Sequence, residues 1–139
     1  MKNFEKYFSG LKRDFGFCNV KNGYYDPKTN KLKFDPGDYG WAKRPITEKD
    51  YEDHLKGQKS IGLQACDDES MASFGAIDVD PDDYEKFDLQ KYLKVIDTKN
   101  LPVIPIESKS GGLHIYVFTK EKVPASLIRE FLSNLLFLF

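Results

Sequence analysis

The stretch that most limits how this chain can fold is MASFGAIDVD, residues 71–80. An apolar run closing on Asp-x-Asp reads as a strand with a buried body and an end that reaches solvent. Side chains alternate along a strand, so Asp78 and Asp80 fall on one face, roughly 6–7 Å apart. Carboxylates that close repel one another. A divalent cation between them removes that cost, and Mg²⁺ or Mn²⁺ takes oxygen ligands of this kind. The plainer alternative is an acidic strand end running into a helix cap, to which Asp82 and Asp83 belong.

A second stretch, ESKSGGLHIYVF at residues 107–118, bears on the same choice. Ser110, Gly111 and Gly112 supply backbone freedom and exposed N–H groups that can approach phosphate oxygens. Ser108, Lys109 and His114 add donors or positive charge on either side. His114 shares a strand face with Tyr116. Beside a metal-holding pair of carboxylates, such a loop suits a nucleoside triphosphate. The alternative is a plain hairpin turn with His114 as an ordinary sheet residue.

The remaining segments place these stretches on elements. Residues 3–15 carry apolar side chains at 4, 7, 8, 11 and 15, the spacing of a helix, which Gly10 weakens. Residues 19–40 are dense in turn signals (NG, DP, DPG), with LKF as a short strand among them. Thr47 followed by acids predicts a helix start, and Gly57 its stop. SIGLQA (60–65), MASFGAIDVD, VIPIES and GLHIYVFT read as strands. Pro105 marks VIPIES as an edge strand or a bulge. Residues 81–100 and 123–139 read as helices, the first opened by Pro and acids, the second by Pro124. The second part is therefore β-β-α-β-β-α, and a boundary falls near residue 59. Residues 1–59 form a basic α/β extension and residues 60–139 the core, the two making one compact unit.

With 139 residues and 40% hydrophobic side chains the chain can build one core, and its 14% aromatics make that core rich in Phe and Tyr. No window is long enough to span a membrane, and the charged N-terminus lacks the apolar stretch of a signal peptide. These features predict a soluble, cytoplasmic protein without a membrane partner. Cys18 and Cys66 form neither a disulfide framework nor a metal knuckle. The net charge of −1 conceals an asymmetry: residues 1–60 hold 13 Lys/Arg against 9 Asp/Glu, and residues 61–139 hold 8 against 13. A basic first part allows a nucleic-acid partner, although a difference of this size also arises by chance.

Taken together, IDVD, a helix, and ESKSGGLHIYVF resemble the archaeo-eukaryotic primase superfamily, the primase-polymerases. Asp78 and Asp80 match the family's strand-borne DxD motif. Ser110, Gly111, Gly112 and His114 match its SGG-x-H motif. HLKGQKSIGLQACDDESMASFGAIDVD resembles the approach to the first motif in primases of mobile-element conflict systems, and VPASLIREFLSNLL resembles the helix after the second. YFSGLKRDF is a weaker echo of their N-terminal segment. The resemblance covers about residues 50–139. It implies an α+β fold with an RRM-like catalytic core behind an N-terminal α/β extension. It also implies a bacterial or archaeal host cell and a phage or mobile-element source.

The resemblance further implies metal-dependent nucleotidyl transfer from nucleoside triphosphates to a 3′-hydroxyl on a DNA template, in replication. Asp78 and Asp80 would hold Mg²⁺ or Mn²⁺. His114, with Ser110 and with Ser108 or Lys109, would bind the incoming triphosphate. Trp41, Lys43 and Arg44, in the basic first part, would grip single-stranded template by stacking and charge. The family's third motif, a hydrophobic residue then Asp on a later strand, is not reached by Phe139. The resemblance thus allows a piece of a longer enzyme, with a helicase or other domains beyond Phe139, or a catalytically incomplete module that binds nucleotide or nucleic acid. Glu107 is a candidate third ligand. A further alternative is a nuclease: Asp78 or Asp80 followed by Glu107 and Lys109 fits a D…ExK pattern.

Overall fold

The computed structural model describes residues 4–29, 31–83, 87–108 and 111–139. The protein divides into two compact units, one ending at Glu69 and the other beginning at Ser70. The fold is α+β, with antiparallel sheets throughout.

The first unit holds α1 (Phe4–Tyr7), β1 (Gly16–Cys18), β2 (Tyr24–Asp26), β3 (Lys31–Lys33), β4 (Tyr39–Trp41), α2 (Glu48–Leu55) and β5 (Ser60–Gly62). Its main sheet runs β4-β1-β5, and β2 pairs with β3 as a separate hairpin. The helix expected over residues 3–15 stops after one turn. Residues 10 and 11 instead lie against Gln64: the Leu11 amide donates to the Gln64 carbonyl at 2.8 Å, and a Cβ on Gly10 would sit 1.8 Å from that same oxygen. A long-range backbone pairing thus overrides the helical spacing, while Leu11 and Phe15 still reach the core at 4% and 0% exposure. The helix expected at Thr47 forms as α2, and Thr47 and Asp50 cap it reciprocally. Gly57, at φ +69°, ends it; the Gly57 and Gln58 amides bond back to His54 and Asp53.

The second unit holds β6 (Met71–Val79), α3 (Leu89–Thr98), β7 (Ile104–Glu107), β8 (Leu113–Pro124) and α4 (Ala125–Leu136). Its sheet runs β6-β8-β7, so Pro105 does lie on an edge strand. One difference from the expected β-β-α-β-β-α order is clear. The 60–65 segment forms a strand only over 60–62, and that strand pairs with β1, leaving β-α-β-β-α in the second unit. Short strands carry no sequence mark of their partner; here the pairing Cys18–Ser60, Phe17–Ile61 and Gly16–Gly62 decides it. The helix expected from residue 81 is a single 3₁₀ turn at Pro81–Asp83, and α3 begins later, where the Asp88 carboxylate accepts from the Lys91 amide at 3.2 Å. Residues 84–86 lie outside the described residues. Asn100, at φ +47°, closes α3, with the Leu101 amide returning to the Ile96 carbonyl.

Alternation along β6 and β8 sorts this sheet into two faces. Val79, Leu113 and Ile115 are essentially buried and pack with Ile96 of α3; Ala72 and Val117 pack with Ile128 of α4. Each fully buried aliphatic side chain here contributes roughly 2 kcal/mol. Gly75 lets α4 approach, since a Cβ there would meet Ile128 Cγ2 at 2.5 Å. The apolar C-terminal run is only partly absorbed: Leu135 is buried and Phe139 stacks on Tyr92 at 5.0 Å, while Phe137 stays 89% exposed. No helix among the described residues is long and apolar enough to cross a membrane.

Candidate active site

The site is built on the sheet face opposite α3 and α4. In register, Asp78, His114 and Ile106 form one row across the three strands, and Ala76, Tyr116 and Ile104 form the next. All six therefore share a face. Asp78 is three-quarters exposed, and its Oδ1 lies 3.3 Å from His114 Nε2, an ion pair whenever the imidazole is protonated. Asp80 follows the last residue of β6. Its Oδ1 accepts from the Asp82 amide at 3.1 Å, which fixes the carboxylate at the turn.

Along β8 the rings continue from His114. His114 and Tyr116 meet edge to face at 6.1 Å, Tyr116 stacks on Phe118 at 5.9 Å, and Phe118 stacks on Phe74 at 6.2 Å. Burial, and then the nearby Asp78 charge, pushes the Tyr116 hydroxyl above the usual tyrosine range, so it stays protonated and able to donate. Ile104 and Ile106 flank this row on the edge strand at 52% and 45% exposure. That pair carried no mark in the sequence beyond its alternation in VIPIE.

The β7–β8 hairpin brings the second motif to the first. The Ser108 amide donates to the Gly112 carbonyl at 2.9 Å, and the Gly112 amide donates to Ser108 Oγ at 3.1 Å. Gly111 sits at φ +81°, a conformation that favours glycine. Gly112 is glycine for a different reason: a Cβ there would lie 2.2 Å from the Val79 carbonyl oxygen and 2.8 Å from Pro81 Cδ. The hairpin is thus seated against the segment that carries Asp78 and Asp80. The Gly111 and Gly112 amides, expected to be open to phosphate, bond within the loop to Ser108. Lys109 and Ser110 lie outside the described residues.

Glu107 pairs with Leu113, which in turn pairs with Val79, so it belongs to the helix-covered face. Asp78 belongs to the other. Alternation therefore places Glu107 and Asp78 on opposite faces of the sheet. Among the described residues no group of three or more His, Cys, Asp or Glu is placed to hold a metal ion. The donor set of Asp78 and Asp80 fits a cation such as Mg²⁺, which binds through one or two carboxylates and fills its remaining positions with water and substrate phosphate.

The three residues expected to grip nucleic acid lie in the first unit. Trp41, on β4, is 55% exposed. Lys43 is exposed and holds a left-handed backbone at φ +49°. Arg44 is otherwise engaged: its guanidinium donates to both Asp50 oxygens at 2.8 Å and lies 5.1 Å from the centre of the Phe15 ring. Asp50 is 3% exposed and also accepts from Thr47 and Lys59. The Arg44 guanidinium first, then these hydrogen bonds, hold the Asp50 carboxyl well below its ordinary range. Tyr39 shares a face of β4 with Trp41; the i, i+2 spacing in YGW was the signal for it.

Comparison with known families bears on this geometry. Residues 4–138 match the family model described as the archaeo-eukaryotic primase domain of the TOTE conflict system. A search of curated proteins found no match. With nearly its whole length covered, the chain belongs to this archaeo-eukaryotic primase family.

Proposed function

We propose that this member of the TOTE-type archaeo-eukaryotic primase family is a nucleotidyl-transfer domain. It would join a nucleoside triphosphate to the 3′-hydroxyl of a primer on a single-stranded DNA template. The reaction forms a bond from the 3′-oxygen to the α-phosphorus and releases pyrophosphate. Asp78 and Asp80 are the residues that would hold Mg²⁺ or Mn²⁺, which when bound favours ionisation of the hydroxyl and offsets phosphate charge.

The chain's own groups do the positioning. His114, across the strand pair from Asp78, is set to donate to a phosphate oxygen, which its proximity to a carboxylate favours by holding the imidazole's orientation. The Ser108 hydroxyl, already bridging the hairpin, is the second donor on the described part of the loop. Lys109 and Ser110 are assigned to the same triphosphate. Trp41 and Lys43 are assigned to the template. Arg44 supports them by fixing the turn through Asp50.

The observation that carries this reading is Asp78: a strand-borne carboxylate left three-quarters exposed beside an imidazole, next to a glycine hairpin closed onto Val79. The test is primer extension with Mn²⁺ and mixed nucleotides. Lengthened primer with the natural chain and none with Asp78→Ala supports transfer. Unchanged primer with both would sink it. A second reading, a nucleotide- or nucleic-acid-binding module without transfer activity, is favoured by Glu107 lying on the opposite face. It requires oligonucleotide affinity to survive Asp78→Ala while extension is absent from the natural chain.

A further inference from the structure

We propose that the outer face of the β4-β1-β5 sheet is a base-stacking site. It would seat one nucleobase of a single-stranded nucleic acid over Gly16 and Gly62, against Trp41 and Tyr39. This rests on the nucleic-acid partner of the proposed function and adds a defined subsite to it.

The register assembles the site. Trp41, Gly16 and Gly62 form one row across the three strands, and Tyr39, Cys18 and Ser60 form the next row on the same face. Both aromatic side chains are 55% exposed. A cleft of about 440 Å³ is lined by the residues of these two rows together with Phe17, Gly40 and Ile61, within the usual size range of small-ligand sites.

The two glycines are the telling feature. Neither holds a left-handed backbone. A Cβ added at Gly16 would meet nothing closer than 3.6 Å, and one at Gly62 nothing closer than 3.8 Å, both ordinary contacts. Gly16 opens β1 and Gly62 closes β5, and strand positions disfavour glycine even where, as here, a side chain would fit. Gly40, on the opposite face, differs: a Cβ there would press on the Phe17 ring at 2.8 Å. What Gly16 and Gly62 contribute is bare, flat backbone beside an indole ring.

A flat floor walled by aromatic rings suits a planar ring system. Stacking of this kind accepts any base, because every base has a π-face, and it requires bases not already paired. Partial desolvation of the hydroxyl first, then the neighbouring Cys18 thiol, raises Tyr39 above the usual tyrosine range, so the ring meets a base in its neutral form. Lys43 stands two residues beyond Trp41, exposed, where its charge can meet a backbone phosphate.

Trp41 is the single tryptophan of the chain, so its fluorescence reports on this site alone. The full chain is titrated with a single-stranded oligothymidylate. A saturable quench is expected, with a hairpin duplex binding at least about tenfold more weakly. Gly62→Val, which fills the floor, is expected to weaken binding about tenfold without lowering the melting temperature. Tyr25→Ala, an exposed tyrosine of the β2–β3 hairpin, is expected to leave the quench unchanged. No quench, or a quench undiminished by Gly62→Val, overturns the proposal. Should Gly62→Val fail to fold, Tyr39→Ala decides, read by anisotropy of a labelled oligonucleotide. About tenfold weaker binding supports the site, and unchanged binding overturns it. Primer extension separates the two claims. Quench without extension sinks nucleotidyl transfer and leaves the stacking site standing. Extension without quench does the reverse.

Discussion

Two aspartates, one in each unit, show opposite uses of the same side chain. Asp50, at 3% exposure, receives the Arg44 fork, Lys59 and both donors of Thr47. Asp78 is three-quarters exposed and faces the His114 imidazole at 3.3 Å. The difference follows from the sheets that carry them. Strands of three residues in the first unit bury little apolar surface. That unit closes instead on carboxylates held by several donors: Asp50, Asp38 with Asn22 and the Asp35 amide, and Asp26 with Lys33 and the Lys28 amide. In the second unit, strands of nine and twelve residues bury a continuous face under two helices. Stability there comes chiefly from that buried face, so the carboxylates at the end of β6 can be left for a ligand. A buried, satisfied acid is a structural part; an exposed acid at a rigid strand end is open to a ligand, the role proposed for Asp78.

The sharpest way to break this contrast is to remove each acid in turn. Asp78→Ala is expected to cut primer extension by on the order of a thousandfold while leaving the thermal midpoint unchanged, read by gel assay and by thermal melting. A fall in melting temperature comparable to that of Asp50→Ala would make Asp78 structural and sink the distinction. Asp50→Ala is expected to cost about 2–4 kcal/mol in urea unfolding, through a lost cap and an uncompensated Arg44.

The pH dependence has the matching sign. The folded state holds the Asp50 carboxyl below its unfolded value of about 4. Its contribution is therefore fully present above about pH 4 and is lost as pH falls through the folded value. Urea midpoints measured from neutral pH downward are expected to drop in acid, and Asp50→Ala to drop less.

Gly112→Ala is a smaller perturbation, expected to cost about 1–3 kcal/mol because the added Cβ meets the Val79 carbonyl oxygen, a backbone atom. Its effect on triphosphate affinity should exceed its effect on stability, which equilibrium binding and urea unfolding separate. Lys49→Ala marks the lower end. It removes an exposed i, i+4 pair with Asp53, and the urea midpoint is expected to stay where it was.

Several elements were legible in the sequence. The 71–79 strand, the helix stop at Gly57, the edge position implied by Pro105 and the final helix after Pro124 all follow from local chemistry: alternation, a left-handed stop, a missing N–H, a fixed φ. The DxD and SGG-x-H segments carried the family resemblance for the same reason, since each is a contiguous run. What stayed hidden involved partners distant in sequence. Residues 60–62 joined β1, and residues 10 and 11 gave up a helix to meet Gln64.

By itself, then, the sequence determined where the motifs sit on strands, where α2 begins and ends, that α4 follows Pro124, and that Asp78 and Asp80 stand at a strand end. Those features depend on residues within a few positions of one another. The tertiary structure alone decided that Glu107 lies on the face away from Asp78, that Arg44 is committed to Asp50, and that Gly16 and Gly62 lie side by side next to Trp41. Each of these depends on register between segments far apart in the chain. A shift of one residue in register moves a side chain to the other face of a sheet, and no local pattern reports it.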